Sequence, residues 1–300
     1  TEAVTDTTDT ATDTMTVTDA DGDSVTWTCT SCSSSAGTST LTGTYGSWSM
    51  VESSGAWTYT LSNSDTDTDA LDGGDSVTET LTMVASDGTA TASHDVVVTV
   101  NGDDDAPTSS TPSEQAGTED NTFTGYTVSD FPFADVDTDD TALISITITV
   151  LESTGTLTSS TDGSNWANVA ENAVILNANI QHLRLAPVAN AIVDITFTFT
   201  VQDGTQSSSA YVMTTSFANE NDVPTWSGTA NNVGPNEDVA VDITGSVIAD
   251  VDDTSLDSMT ISSTQSGTFT LAATSGLSFT SGSAGAADST KVFGGTIADI

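Results

Sequence analysis

Positive charge is almost absent from this sequence. Its 300 residues include two permanent cations, Arg184 and Lys291, against 43 Asp and Glu, and the formal net charge is −41. Nucleic acids and anionic membrane surfaces are bound through lysine and arginine, so both classes of partner are excluded. Salt bridges cannot hold such a chain together. Its carboxylates must therefore be solvated, screened by salt or bound to cations.

Long apolar runs are also missing. No stretch reaches the roughly 20 apolar residues that cross a bilayer, so we expect no membrane insertion in this segment. Nothing resembles a signal peptide, and we expect Thr1 to be a processed or trimmed start. No Asn-x-Ser/Thr sequon occurs, so any glycosylation would be on Ser or Thr.

Cysteine is limited to Cys29 and Cys32, in Cys-Thr-Ser-Cys. A zinc site would want four ligands, and the two histidines lie far away in sequence. A redox pair would be expected to open a helix in a βαβ context, which the pattern does not indicate. The spacing favours a local structural disulfide in an oxidising compartment, with free thiols and redox catalysis as alternatives.

Histidine is equally scarce. Only His94 and His182 could serve as a triad base, and neither lies near a nucleophile-elbow motif. Among 43 acids, chance pairs of carboxylates are expected, so no such pair is assigned to catalysis. We predict that the chain is not an enzyme.

The sequence does contain an internal repeat. The acidic linker Asn101–Pro107 has a second version at 219–224, and Asp105 corresponds to Asp222, 117 residues later. Other landmarks recur at nearly the same distance; they are Asp87-Gly88-Thr89 with 203–205, Asp135-Val136-Asp137 with 250–252, and Thr118-Glu119-Asp120 with 236–238. Agreement among independent landmarks predicts tandem modules, here 1–105, 106–222 and 223–300.

The third module is incomplete in its motifs. It has Glu237-Asp238 and Asp250-Val251-Asp252 but no Asp-Gly-Thr strand and no closing linker. We expect a longer natural chain to complete it, and β-augmentation by a strand of another subunit is the alternative.

Alternating hydrophobicity predicts strands throughout. Ile144 to Val150 and Ile195 to Val201 alternate β-branched or aromatic residues with Ser and Thr, which is typical of strands rather than helices. Trp48, Trp57 and Tyr59 alternate in the same way, and we interpret them as sandwich core rather than as a sugar-stacking surface. The fold class predicted is all-β, as a linear array of sandwich modules.

Several motifs together resemble known repeats. The first module contains Trp57-Thr58-Tyr59, Leu71-Asp72-Gly73-Gly74-Asp75, Asp87-Gly88-Thr89 and Asn101–Pro107. Together these motifs resemble a VCBS repeat of giant bacterial surface proteins. The second module, with Glu119-Asp120, Asp135-Val136-Asp137 and Asp203-Gly204-Thr205, is similar to the cadherin-like repeats of the same proteins, and the third resembles the opening of another copy. The departures are the cysteine pair and Val223 where the family usually has Ala before Pro.

This resemblance implies immunoglobulin-like sandwiches, calcium at the module junctions and a role in adhesion, biofilm or extracellular matrix. The ligands that it implies at the first junction are Asp103, Asp105, Asp135, Asp137 and Asp203, with Glu2 as a further contributor. At the second junction they are Glu119, Asn221, Asp222, Asp250 and Asp252. The equivalent set on the first module is Asp19, Asp21 and Asp87, facing a preceding module.

Each of these acids could instead form a turn, since Asp favours turns and strand ends. Clustering favours Ca²⁺, which takes 6–8 oxygen ligands, because lysine and arginine are too few to neutralise the acids. Asp19–Asp23 does not fit an EF-hand loop, which wants Gly at position 6 and Glu at position 12.

The function predicted is structural: an extracellular, calcium-stiffened rod for cell-surface adhesion or matrix formation. Its partners would be neighbouring copies or other surface proteins and glycans. The alternatives are a filament or surface-layer subunit that assembles by strand addition, and a carbohydrate-binding accessory module.

Overall fold

The protein is all-β, as its hydrophobic alternation predicts. The computed structural model describes residues 3–4, 10–152, 154–228, 241, 246–263 and 267–299. Within them the helical elements are one short α-helix, Thr66–Asp69, and three 3₁₀ helices, Val128–Asp130, Asn177–His182 and Ile297–Asp299. None of the described helices is both long and apolar enough to cross a membrane.

The chain divides into two compact units. The first comprises Thr1–Gln115, Phe123–Leu185 and Ile195–Thr215; the second comprises Ala116–Thr122, Ala186–Asp194 and Ser216–Ile300. Module boundaries at residues 105 and 222 stay a prediction.

Residues 3–4 and 10–101 form a β-sandwich. Its strands are β1 (Ala3–Val4), β2 (Thr10–Thr14), β3 (Thr26–Cys29), β4 (Ser33–Ser35), β5 (Thr38–Thr42), β6 (Gly46–Val51), β7 (Ala56–Leu61), β8 (Ser76–Ser86) and β9 (Thr91–Asn101). One sheet has the order β1-β9-β8-β3 and the other β2-β7-β6-β5-β4. Only the β1–β9 pair among the pairings of these two sheets is parallel.

Side chains from both of these sheets form one buried cluster. Trp48, Trp57 and Tyr59 from β6 and β7 belong to it together with Leu81 of β8 and Val98 of β9. The Trp48 and Tyr59 rings meet edge-on with centroids 4.8 Å apart. The interpretation of these aromatic residues as core is therefore confirmed.

A short disulfide-closed turn leads from β3 to β4. Cys29 and Cys32 are bonded to each other, and their Cα atoms are 5.5 Å apart. The amide of Cys32 also donates to the carbonyl of Cys29. Both side chains pack against the aromatic cluster, so this disulfide fixes the edge of the sandwich.

Residues 115–218 contain two further sheets. Their strands are β10 (Gln115–Thr118), β11 (Ser145–Val150), β12 (Thr156–Ser159), β13 (Ala167–Asn168), β14 (Ala173–Leu176), β15 (Leu183–Ala186), β16 (Asp194–Gln202) and β17 (Tyr211–Ala218). The sheet orders are β10-β17-β16-β11-β14 and β13-β12-β15. Ile195, Phe197, Phe199 and Val201 are all buried, and Phe197 and Phe199 contact Tyr126 and Phe131 edge-on.

The alternation predicted for β11 is correct only in its centre. Ile146 and Ile148 are fully buried, whereas Ile144 is 48% and Val150 54% exposed. The pairing with β16 shifts register between Ile148 and Val150, and such an irregularity turns later side chains away from the core.

The described part of residues 225–299 has a smaller core. Its strands are β18 (Thr225–Ser227), β19 (Val247–Ala249), β20 (Ser255–Ser262), β21 (Ser278–Ser281) and β22 (Thr290–Thr296). They form a β18-β19 pair and a β20-β22-β21 sheet. Phe293 is buried there beside Lys291, whose ammonium donates to Asp288 and to the carbonyls of Ser283 and Ala286.

Candidate metal centres at the predicted module junctions

Three carboxylates converge at the first predicted junction. Asp72, Asp137 and Asp140 each offer an oxygen, and these oxygens lie within 4.8 Å of one another. Asp72 lies in the turn between the helix and β8, whereas Asp137 and Asp140 follow the linker. Within the described residues this is the only such group of three, and Asp137 is 3% exposed.

Backbone amides fix the geometry of this group. The amide of Asp105, in the linker, donates to Asp137 Oδ2 at 2.7 Å, and the amide of Asp137 donates to Asp135 Oδ1 at 3.1 Å. The amide of Asp139 donates to Asp72 Oδ2 at 3.0 Å. Since the donors of these bonds are backbone amides, the fold itself holds each carboxylate in place.

Asp203 and Asp104 join the same region. One oxygen of Asp203, Oδ1, accepts from the amides of Thr205 and Gln206 at 2.6 and 2.8 Å and so closes the turn after β16. The side-chain amide of Gln206 donates to the carbonyl of Asp104. Asp104 Oδ1 accepts from the amide of Gly73 at 2.8 Å, which ties the linker to the turn that carries Asp72.

At this predicted junction, three acids each have one oxygen that is buried without a hydrogen-bond partner among the described residues. These oxygens are Asp135 Oδ2, Asp137 Oδ1 and Asp203 Oδ2. In each of these residues the other oxygen makes the structural bonds described above. An unsatisfied buried acceptor is costly, and more so when it is charged. A bound cation would remove that cost.

The electrostatics of the group are uncompensated. Burial, together with Asp72, Asp105 and Asp135, raises the pKa of Asp137 to about 6, although the hydrogen bond from Asp105 acts in the other direction. Burial also raises the pKa of Asp140, with smaller contributions from Asp203, Asp72, Asp135 and Asp104. An anionic, all-oxygen set of this kind fits Ca²⁺, which prefers carboxylates and carbonyls.

The second predicted junction repeats the hydrogen-bond pattern of the first. The amide of Asp222, in the linker, donates to Asp252 Oδ2, and the amide of Asp252 donates to Asp250 Oδ1 at 3.0 Å. These are the bonds that join Asp105, Asp137 and Asp135 at the first junction. Asp222 Oδ2 is buried without a hydrogen-bond partner among the described residues.

The other two predicted ligands of the second junction are Glu119 and Asn221. Glu119 is 1% exposed, and its Oε1 accepts from the amide of Glu220 at 3.2 Å. Asn221 Nδ2 donates to the carbonyl of Asp222 at 2.8 Å. Burial raises the pKa of Asp222, and Asp120, Asp252, Asp250 and Glu220 raise it further.

Some predicted ligands lie apart from these groups. The side chain of Asp103 is exposed. Asp19 Oδ1 accepts from the amides of Asp21, Gly22 and Asp23, and Asp87 Oδ1 accepts from those of Thr89 and Ala90, so both close their own turns. Glu2 and Glu237-Asp238 lie outside the described residues.

Asp72, Asp104 and Asp140 were not predicted as site residues. Asp72 lies in the sequence Leu71-Asp72-Gly73-Gly74-Asp75, which is typical of a turn, and only the fold brings it to Asp137. A signal for Asp140 was present, because it ends the acidic run that begins at Asp135.

No protein-family model and no curated protein matches this chain. Among solved structures it is similar to human protocadherin-24 EC1-2, with 14% identity over 67% of this chain and 85% of that chain and a TM-score of 0.36. It is similar to protocadherin gamma B7 extracellular cadherin domains 1–4, with 12% identity, 90% and 58% coverage and a TM-score of 0.41.

An endo-fucoidan hydrolase from glycoside hydrolase family 107 is also similar, with 16% identity over 67% of this chain and 24% of that chain and a TM-score of 0.23. TM-scores this low support no inference of function. The fold assignment depends on the strands and sheets of this chain itself.

Proposed function

We propose that this chain is a non-enzymatic, extracellular structural or adhesion protein whose tandem modules are stiffened by Ca²⁺ at their junctions. The modules are 1–105, 106–222 and 223–300, and the chain serves cell-surface attachment or matrix formation. VCBS-like and cadherin-like repeats of bacterial surface proteins are the class it resembles. Neighbouring copies or other surface proteins and glycans are its partners.

The unpaired, buried carboxylate oxygens of Asp135, Asp137 and Asp203 carry this proposal. Both permanent cations are engaged elsewhere, since Arg184 stacks on Trp166 and Lys291 binds Asp288. A metal ion would neutralise these oxygens. Asp137, Asp135, Asp203, Asp72 and Asp140 would hold it at the first junction.

One other feature supports an extracellular location. The disulfide between Cys29 and Cys32 is typical of proteins that fold in oxidising compartments. Extracellular calcium modules bind with Kd values of about 10⁻⁴–10⁻³ M. A site of that affinity would be filled outside cells at millimolar calcium.

The test is thermal melting together with small-angle scattering, in about 10 mM calcium and in chelator, at fixed ionic strength. With Kd values of about 10⁻⁴–10⁻³ M, calcium at that concentration stabilises by about 1.4–2.7 kcal/mol per site. We expect a higher melting temperature and a longer particle in calcium but not in magnesium. A calcium effect no larger than that of sodium chloride at equal ionic strength would overturn the proposal.

Asp203→Asn sharpens this test. Asparagine keeps an oxygen that can accept from the amides of Thr205 and Gln206, so the turn is preserved while the charge is lost. We expect weaker calcium binding by calorimetry than in the wild type. Glu171→Gln removes one charge from an exposed position and is the matched control.

A further inference from the structure

Arg184 is stacked on an aromatic ring. Its guanidinium carbon lies 3.3 Å from the centroid of the Trp166 ring. Leu183 and Leu185, on either side of it in β15, are fully buried, so Arg184 lies on the opposite face of the strand. His182 is the last residue of the 3₁₀ helix that precedes β15. Stacking holds the planar guanidinium in one orientation and leaves its edge N–H groups able to donate.

The loop that carries Trp166 is rigidly built. It joins β12 to β13, which pair through Thr158 with Asn168 and Ser159 with Ala167. Asp162 Oδ1 accepts from Ser160 Oγ and from the amides of Ser164 and Asn165 at 2.8–2.9 Å. Asp162 Oδ2 accepts from the side-chain amide of Asn165 at 2.6 Å. Both oxygens of Asp162 are thus occupied within the loop.

His182 completes the group. Its ring meets the Trp166 ring edge-on, with centroids 6.3 Å apart. The loop passes close to it, because a Cβ added at Gly163 would lie 3.1 Å from His182 Cε1. Together, Trp166, His182 and Arg184 present nitrogen donors beside an aromatic ring.

Arg184 makes no ion pair or side-chain hydrogen bond with any residue that the structure describes, although the sequence has 43 acidic side chains. A guanidinium fork matches a carboxylate in bidentate geometry. The net charge of −41 repels a polyanion more strongly than it repels a ligand with a single carboxylate.

We propose that Trp166, His182 and Arg184 form a binding site for a single carboxylate group, of the kind carried by a uronic acid residue of a glycan. The guanidinium of Arg184 binds the carboxylate, His182 hydrogen-bonds a neighbouring hydroxyl, and Trp166 contacts the apolar part of the ligand. The site goes beyond the proposed junction chemistry, since it uses none of the acidic residues.

The experiment follows the tryptophan indole N–H signals by NMR during titration with sodium D-glucuronate, with D-glucose as the uncharged control. We expect saturable shifts of the Trp166 signal with glucuronate and none with glucose. A parallel titration with N-acetyl-aspartate amide tests whether the site binds an acidic protein side chain instead. Tighter binding of glucuronate than of this compound identifies the glycan as the source, and the reverse order overturns that part of the proposal.

Variants separate binding from folding. Arg184→Gln should weaken glucuronate binding by about 10- to 100-fold, since a charge-assisted hydrogen bond is lost. Arg184→Lys keeps the charge but not the fork, and should retain only part of the affinity. Ser113→Asp, at an exposed loop position, lowers the net charge by the same amount and should bind like the wild type.

Unchanged binding in Arg184→Gln, or equal binding of glucose and glucuronate, would overturn the proposal. The titration is run in calcium and again in chelator. Failure of the junction proposal would appear as an absence of calcium effects on melting, whereas failure here would appear as an absence of Arg184-dependent shifts in both media.

Discussion

At the scale of single residues, Asp137 shows the conflict between burial and charge at the first predicted junction. One of its oxygens accepts from the linker amide of Asp105, and the other is buried without a partner among the described residues. Its pKa is raised to about 6, so the ionised form is disfavoured in the folded state. The unfolded carboxyl has a pKa near 3.9. Without metal, this residue therefore lowers stability as the pH rises from about 4 to 6, and the full penalty remains at pH 7.

We predict that Asp137→Asn changes stability in opposite directions with and without calcium. In chelator at pH 7 the variant should be more stable, by about 1–3 kcal/mol, because the buried charge is gone. In calcium it should be less stable than the wild type because a ligand is lost. Denaturant unfolding in both media measures the two differences.

Glu171→Gln is the control for the loss of one charge. Because Glu171 is exposed, this variant should change the free energy of unfolding by no more than about 0.5 kcal/mol in either medium. If Asp137→Asn is destabilised equally in calcium and in chelator, Asp137 is a structural residue and not a metal ligand.

The sequence reveals only part of this site. Asp135, Asp137 and Asp203 stand out because they recur with the repeat or follow strands with clear alternation. Asp72 could not be found in that way, since its approach to Asp137 depends on how a turn before β8 meets the segment after the linker. Arg184 and Trp166 are separated by 18 residues, and the hairpin loop that joins them in space has no strong motif.

At the scale of elements, the hairpin of β6 and β7 depends on one close approach. A Cβ added at Gly46 would lie 2.4 Å from the carbonyl oxygen of Thr60 and 2.6 Å from the ring of Tyr59. Gly46 pairs with Leu61 at the start of the hairpin, and the fully buried Tyr59 ring cannot withdraw. The glycine is therefore required by packing.

We predict that Gly46→Ala destabilises the first sandwich by about 1–3 kcal/mol, which is typical of overpacking in a core. Urea unfolding monitored by tryptophan fluorescence measures the change, since Trp48 and Trp57 lie in the same hairpin. Ser47→Ala, at the adjacent exposed position, should be close to neutral. Equal effects of the two substitutions would contradict the packing argument.

The elements themselves were largely predictable. Period-two alternation correctly identifies β16, whose Phe197 and Phe199 are buried, and the aromatic residues of β6 and β7. It fails at Val150, because a shift in strand register depends on the partner strand and has no local pattern. It also fails at Ile144, which lies before the first residue of β11. The weak strand pattern of residues 170–185 predicts one short helical turn around Asn177–Gln181, and the structure has the 3₁₀ helix Asn177–His182 there.

At the scale of the whole molecule, self-repulsion opposes folding. A net charge of −41 with one described ion pair, Lys291 with Asp288, leaves the acids to be screened by the solvent. The Debye length falls from about 30 Å at 0.01 M salt to about 3 Å at 1 M. Repulsion between exposed carboxylates should fall accordingly.

We predict that the melting temperature at pH 7, measured in chelator, rises steadily between 0.01 and 1 M sodium chloride. Repeating the series near pH 4, close to the sequence pI of about 4.1, should remove most of the increase because the net charge is then small. The same slope at both pH values would show that salt acts through another mechanism.

The paired linker bonds also give a rule for counting repeats in related sequences. In both linkers the amide of an aspartate binds the second acid of Asp-Val-Asp, 32 residues later from Asp105 and 30 residues later from Asp222. The hydrogen bond fixes the linker amide and the carboxylate relative to each other. The number of residues between them should therefore vary less than the lengths of the loops that follow. A protein of this kind could be divided into its duplicated units by this spacing alone, even where the surrounding residues have diverged too far to align.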